Sequence, residues 1–408
     1  MAIAAKNIFR GDRSVWVVII FLSIISLIEV YSSLGKAAYD HGWSVTWTMF
    51  RHLRIVLVSY LIMIGISHLR IKWFYKLSRP GYLLCFVLMG VMIVMSFYGH
   101  MSDSASGHAA NRWLDNIPLI GQFQPSEIAK YVLLVYLARQ LTKYRDSLKD
   151  KETFKRLMIP VLLIAGMIFP ENFSTAALVF VACVVLMFLA GVNRRYLFTT
   201  VGVILGAVTL FLIVCVVFDL ELFRSSTWVN RIDEWWSDDK DQPTQTNMAK
   251  IAIASGGLTG AGPGNTVQGR FLNESHTDFI YSVIIEEMGG FVGVLILLAY
   301  LFFFIRCMII SKNCSSLFGQ LLVLGLGFVI FLQAMINMSV ATGYFPVTGQ
   351  TLPLVSYGGT SYVLTCTAIG IILAVSHKNK IDKLKLESGE DDEPEPEPQT
   401  GTTNESNN

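Results

Sequence analysis

Charge is what this 408-residue chain has least of. Asp, Glu, Lys and Arg make up only 15% of it, against roughly 25% in an ordinary soluble protein. Hydrophobic residues make up 53%. That excludes a set of soluble domains, because too few polar residues remain to cover the apolar ones. The net charge of +2 provides no field that would draw nucleic acid. Cysteine is sparse as well: Cys85, Cys183, Cys215, Cys307, Cys314 and Cys366 lie in or beside apolar runs, without CxxC pairs or metal-ligand spacing. They read as small buried hydrophobes. No phosphate-loop GxxxxGK[ST], HExxH, catalytic GxSxG or dinucleotide fingerprint occurs. What is present is apolar sequence in long runs.

Those runs, near 15–34, 53–69, 80–98, 126–141, 157–169, 174–190, 197–218, 289–310, 317–338 and 357–375, predict an all-α polytopic membrane protein of ten transmembrane helices. The first run is longer than a signal-peptide core and is read as a retained helix. Basic residues sort the loops by side. Lys6, Arg10, Arg13, Arg70, Lys72, Lys76, Arg79, the 139–156 segment, Arg194, Arg195, Arg306, Lys312 and Lys378 to Lys385 fall on one side. Both termini are therefore expected in the cytoplasm. This divides the chain into a cytoplasmic N-terminus (1–14), a membrane domain (15–376) and a cytoplasmic tail (377–408). The tail is acidic and expected to be disordered from about 387. Residues 219–278 form a large extracytoplasmic loop between helices 7 and 8.

Long loops are often functional, and this one holds a Gly-rich run, Ser255 to Gly264. A flexible backbone near a headgroup or a tight re-entrant turn is the expected reading, rather than a nucleotide site. The loop ends in His276-Thr277-Asp278-Phe279. Asp278 stands where loop gives way to apolar helix. Partial burial would suit it to general-base work, and an N-terminal capping role for Thr277 or Asp278 is the alternative. Asn111-Arg112-Trp113 and Gln124-Pro125-Ser126-Glu127 to Lys130 make a second cluster. Glu127 and Lys130, three residues apart, share a helix face. An ammonium about one turn inside the membrane marks either a functional site or a structural ion pair. Snorkelling accounts for Arg54, whereas Glu29 needs a partner that the sequence does not name. Charges near the outer leaflet suggest an anionic lipid-linked substrate.

The ordered motifs Asn111-Arg112-Trp113, Gln124 to Lys130, the Gly run, His276-Thr277-Asp278-Phe279-Ile280 with Glu286-Glu287-Met288-Gly289, and Pro346 to Ser361 resemble the SEDS family (FtsW, RodA, SpoVE) over nearly the whole chain. The resemblance implies the ten-helix SEDS fold and peptidoglycan glycosyltransfer. On that expectation lipid II is polymerised at the outer face of the cytoplasmic membrane, with inversion. Asp278 is then the general base on a sugar 4-hydroxyl, and undecaprenyl pyrophosphate leaves. Arg112, Glu127, Lys130, Arg231, His276, Thr277, Ser356, Tyr357, Gly358 and Gly359 become the expected substrate-binding set. A divalent cation, Mg²⁺ or Mn²⁺, is implied without readable ligands.

Asn337-Met338, Phe345 to Gly349 and the tail lean the resemblance toward the division (FtsW) branch, acting at the septum. It implies a class B penicillin-binding transpeptidase and other divisome membrane proteins as partners, in contact with membrane lipids and with no nucleic acid. An elongation polymerase of the RodA type, a lipid II flippase and a non-catalytic scaffold are the competing readings. Two positions depart from the family pattern, Asn172 where Asp is usual and Met248 where Gln is common, and neither is given a role.

Overall fold

The computed structural model describes residues 9–40, 45–102, 114–117, 121–218, 225–236, 244–272 and 277–388. The helices are α1 (Arg13–Asp40), α2 (Val45–Ser67), α3 (Ile71–Ser102), α4 (Pro125–Lys143), α5 (Lys151–Ile168), α6 (Phe173–Leu189) and α7 (Arg194–Val217). After them come α8 (Ser225–Trp236), α9 (Gln245–Gly256), α10 (Ile280–Met288), α11 (Gly290–Lys312), α12 (Leu317–Ala341) and α13 (Gly359–Ser388). Seven helical stretches, in α1, α2, α3, α7, α11, α12 and α13, are long and apolar enough to cross a membrane. Helices α4, α5 and α6 occupy the other three expected spans.

Three details differ from the sequence reading. A small antiparallel hairpin, β1 (Leu114–Ile117) and β2 (Gly121–Phe123), precedes α4, so the chain is not purely helical. Such a short pairing carries no apolar run for a hydropathy window to detect. The 219–278 segment is helical over much of its described length, with α8, α9 and a single 3₁₀ turn, Gln268–Arg270. Finally, α13 continues through Ser388, well past the expected span. The tail expected to be disordered lies, from residue 389 onward, outside the described residues.

Helix α12 occupies the centre, packed against α4, α6, α11 and α13. Its glycines permit the close approach. A Cβ at Gly325 would press on Leu186, and one at Gly327 on Cys307. Lipid gives no hydrophobic drive for helices to associate, so such small-residue contacts carry much of the packing. Helix α7 is the opposite case, with nearly all of its apolar surface facing outward. At the N-terminal end, Asp12 caps α1 through the Ser14 amide at 2.8 Å and pairs with Arg306 of α11.

Between α12 and α13 the chain turns back into the bundle as an irregular segment, 342–358. Non-helical backbone is tolerated at such depth only where protein satisfies it. Here Tyr300 donates to the Pro353 carbonyl, Ser26 Oγ donates to the Val355 carbonyl at 2.8 Å, and Ser356 Oγ accepts from the Leu352 amide at 2.8 Å. These bonds hold Leu354 at a φ of +64°, a conformation costly for a branched side chain.

Candidate active site

Asp278 lies just before α10 and is half-buried. The N-cap position of that helix is Phe279, which makes no side-chain capping hydrogen bond. The backbone around Asp278 is held from two sides. Asn337 Nδ2 of α12 donates to the Asp278 carbonyl at 2.9 Å and to the Gln350 carbonyl at 2.7 Å. Ser356 Oγ donates to the Thr277 carbonyl at 2.6 Å. The carboxylate stands over Gly349, where a Cβ would lie 3.7 Å from Asp278 Oδ2. Gly349 has a φ of +69°, which glycine adopts without penalty.

The expected Glu127–Lys130 pair is present. Lys130 is fully buried, its Nζ 2.9 Å from Glu127 Oε2 and 2.6 Å from Gln333 Oε1, and 4.9 Å from the Tyr131 ring centre. Pro125 opens the helix at its first turn, as expected. Gln333 passes the contact on, its Nε2 donating to the Thr351 carbonyl at 2.9 Å. Arg231, on α8, donates to the Val347 carbonyl at 3.0 Å, and Trp235 of the same helix reaches the Gly343 carbonyl at 3.0 Å. The structure therefore gathers Asp278, Thr277, Ser356 and Arg231 around the 342–358 segment. Lys130 and Glu127 join it through Gln333. Tyr357 stacks obliquely on His52, ring centres 5.5 Å apart, while Gly358 stands just before α13 and Gly359 opens it. Arg112 and His276 lie outside the described residues.

Asn172 now has a structural part. Its side chain accepts from the Thr175 amide at 3.1 Å and caps α6, and Thr175 Oγ1 accepts from Gln350 Nε2 at 2.9 Å. An amide oxygen caps as well as a carboxylate does, so the departure from Asp leaves this contact possible.

The Gly-rich run is a backbone-to-backbone joint. A Cβ at Gly256 would fall on the Ile285 carbonyl, one at Gly260 on the Glu287 carbonyl, and one at Gly289 on the Leu258 carbonyl. The Ala261 amide donates to the Glu286 carbonyl at 2.9 Å, and the Gly262 amide to that of Glu287 at 2.8 Å. The tight-turn reading describes this run better than flexible backbone does. Two carboxylates finish the joint. Glu286 accepts from Thr266 Oγ1 (2.5 Å) and from the amides of Val267 (2.8 Å), Gln268 (2.9 Å) and Gly269 (3.2 Å). Glu287 accepts from Ser32 Oγ (2.5 Å) and the Gly264 amide (3.1 Å). Burial outweighs these bonds and raises the Glu287 carboxyl above the usual range.

Sequence reasoning passed over Gln333 and took Asn337 and Gln350 only as parts of longer motifs, with no place at the site. Gln333 and Asn337 are polar amides inside an apolar run, which cost free energy unless they are hydrogen-bonded. Among the described residues, no three His, Cys, Asp or Glu side chains converge as a metal cage would require.

Comparison with known proteins is consistent over the whole length. The FtsW/RodA/SpoVE family, described as "Cell cycle protein", matches residues 12–381. A probable peptidoglycan glycosyltransferase FtsW of Coxiella burnetii is 29% identical, covering 92% of this chain and 99% of the relative. The protein of the same description from Hahella chejuensis is 31% identical, covering 87% of each chain. Among solved structures, the rod shape determining protein RodA of Thermus thermophilus superposes with a TM-score of 0.59 at 25% identity, covering 88% of this chain and 96% of that one. A chain from a structure described as "Structural coordination of polymerization and crosslinking by a peptidoglycan synthase complex" gives a TM-score of 0.69 at 24% identity, over 90% and 98% of the two chains. With the family match running from near one end of the chain to the other, this protein belongs to the FtsW/RodA/SpoVE family.

Proposed function

We propose that this chain is a peptidoglycan glycosyltransferase that polymerises lipid II at the outer face of the cytoplasmic membrane, with Asp278 as its general base. The observation that carries the reading is the setting of Asp278. It is a partly exposed acid just before α10, with its own carbonyl and the preceding one both anchored. A base must be held still and remain accessible to the hydroxyl it deprotonates.

In the reaction, Asp278 takes the proton of the acceptor sugar 4-hydroxyl. That oxygen attacks the anomeric carbon of the donor from the face opposite the pyrophosphate. The carbon–oxygen bond to pyrophosphate breaks, its electron pair leaves with the lipid pyrophosphate, and an α-linked donor yields a β-1,4 bond. Arg231 and Arg112 supply positive charge for the leaving group. Lys130, enclosed by Glu127 and Gln333, supports the frame from behind.

Ten spans with both termini in the cytoplasm put this site on the outer side. Seven long apolar helices together with α4, α5 and α6 support that topology. A class B penicillin-binding transpeptidase is the partner that would crosslink the product, and the septum is the proposed place of action.

Purified full-length protein supplied with lipid II in liposomes tests the assignment. Polymer is expected from the parent chain, and Asp278→Asn should lose at least about 100-fold in rate while unfolding at an unchanged temperature. Full polymerisation by that variant would remove Asp278 as the base. Transfer of lipid II across the bilayer without polymer would replace the enzyme by a transporter.

A further inference from the structure

Helix α12 carries two buried amides, Gln333 and Asn337, each about 1% exposed. They are four residues apart, so they stand on one face with about 6 Å of rise between them. Each makes the same kind of double contact. Gln333 accepts from Lys130 Nζ at 2.6 Å and donates to the Thr351 carbonyl at 2.9 Å. Asn337 donates to the Asp278 carbonyl at 2.9 Å and to the Gln350 carbonyl at 2.7 Å. The two carbonyls on the irregular segment, Gln350 for Asn337 and Thr351 for Gln333, are consecutive, and the residue before them is Gly349, directly beneath the Asp278 carboxylate. One helix face thus ties α4 and the start of α10 to a single dipeptide of the irregular segment. Gln350 fastens the far side of that dipeptide to Thr175 at 2.9 Å.

We propose that Gln333 and Asn337 are paired positioning residues, which set where the Asp278 carboxylate stands relative to the Gly349 floor and the buried Lys130. The proposal rests on Asp278 acting as the base. Asn337 is the direct anchor, because its amide is bonded to the main chain of Asp278 itself. Gln333 acts one step back, by keeping Thr351 from shifting. Neither amide side chain touches the reacting atoms, so removing one should displace the base rather than remove it.

The test uses full-length protein in liposomes with lipid II, comparing Asn337→Leu, Asn337→Gln, Gln333→Leu, the Asn337→Leu/Gln333→Leu double variant and Asp278→Asn. Each is scored per folded molecule after its unfolding temperature has been measured. For Asn337→Leu, kcat should fall about 100-fold, the scale expected for a misplacement near 1 Å, with KM within about twofold. Asn337→Gln keeps the amide and should recover part of that loss. The double variant should lose less than the product of the two single losses, because both act through one dipeptide. Equal kcat in Asn337→Leu and the parent, beside an inactive Asp278→Asn, would overturn the positioning role and leave the base intact. Loss proportional only to the unfolded fraction would also overturn it. An active Asp278→Asn would instead strike at the base assignment.

Discussion

Lys130 and Glu29 are both fully buried ionisable residues of membrane helices, and the fold treats them in opposite ways. Lys130 has Glu127, Gln333 and the Tyr131 ring around its ammonium. Glu29 of α1, among the described residues, has no hydrogen-bond partner for either carboxylate oxygen. Ser32, one turn away on the same face, is bonded to Glu287 instead. The cost of burying polar atoms is therefore met by hydrogen bonds in one place and left standing in the other. A network marks where a charge has been built into the frame. The charges that act on Glu29 are those of Glu287 and Glu286, which are of like sign and do not pair with it.

The largest effect should come from breaking the satisfied side. Lys130→Met leaves the Glu127 carboxylate and the Gln333 carbonyl facing each other without a cation, and should cost about 3–5 kcal/mol. Thermal unfolding in detergent measures this, and the Lys130→Met/Glu127→Met pair should recover a good part of it. Next comes Glu286→Ala, which strands the donors around the 3₁₀ turn. A loss of about 2–3 kcal/mol is expected, together with earlier proteolysis within 257–272. On the unsatisfied side the sign reverses. Glu29→Leu removes the unbonded carboxyl oxygens at similar volume, so stability should hold or rise by about 1 kcal/mol, and a clear loss in the same unfolding assay would show that Glu29 has a partner after all.

The smallest effect concerns Glu287, whose raised carboxyl means that the folded chain holds the proton more tightly than the unfolded one. Its stabilising contribution is full below the ordinary glutamate value and is lost as pH rises through the raised one. In Glu287→Gln, the dependence of unfolding temperature on pH should flatten over that window.

The hydropathy of the chain located the helices well because lipid exposure is a property of whole runs. The seven long apolar helices and α4 to α6 all fall where apolar runs stand. The site was legible only where charge or a motif marked it, as at Asp278, Glu127 and Lys130. Gln333 and Asn337 were given no place at the site because two amides hardly move the average of the apolar helix that contains them. Their meaning depends on which carbonyls lie opposite, and only the folded segment 342–358 supplies those. The Gly run was visible as composition, but its role as a joint depends on α10 lying against it, a contact no local pattern encodes.

The brace from Ser26 to the Val355 carbonyl joins positions 329 residues apart, and Ser23 meets Tyr362 across 339. At roughly 5–20 residues per second of synthesis, α1 waits about 15–70 s for the backbone and side chain it must meet. During that interval the early helices can enter the membrane and pack, while the floor beneath Asp278 does not yet exist. A chain that ends before α13 therefore lacks part of what holds the backbone at Asp278, because Ser356, the donor to the Thr277 carbonyl, stands just before that helix.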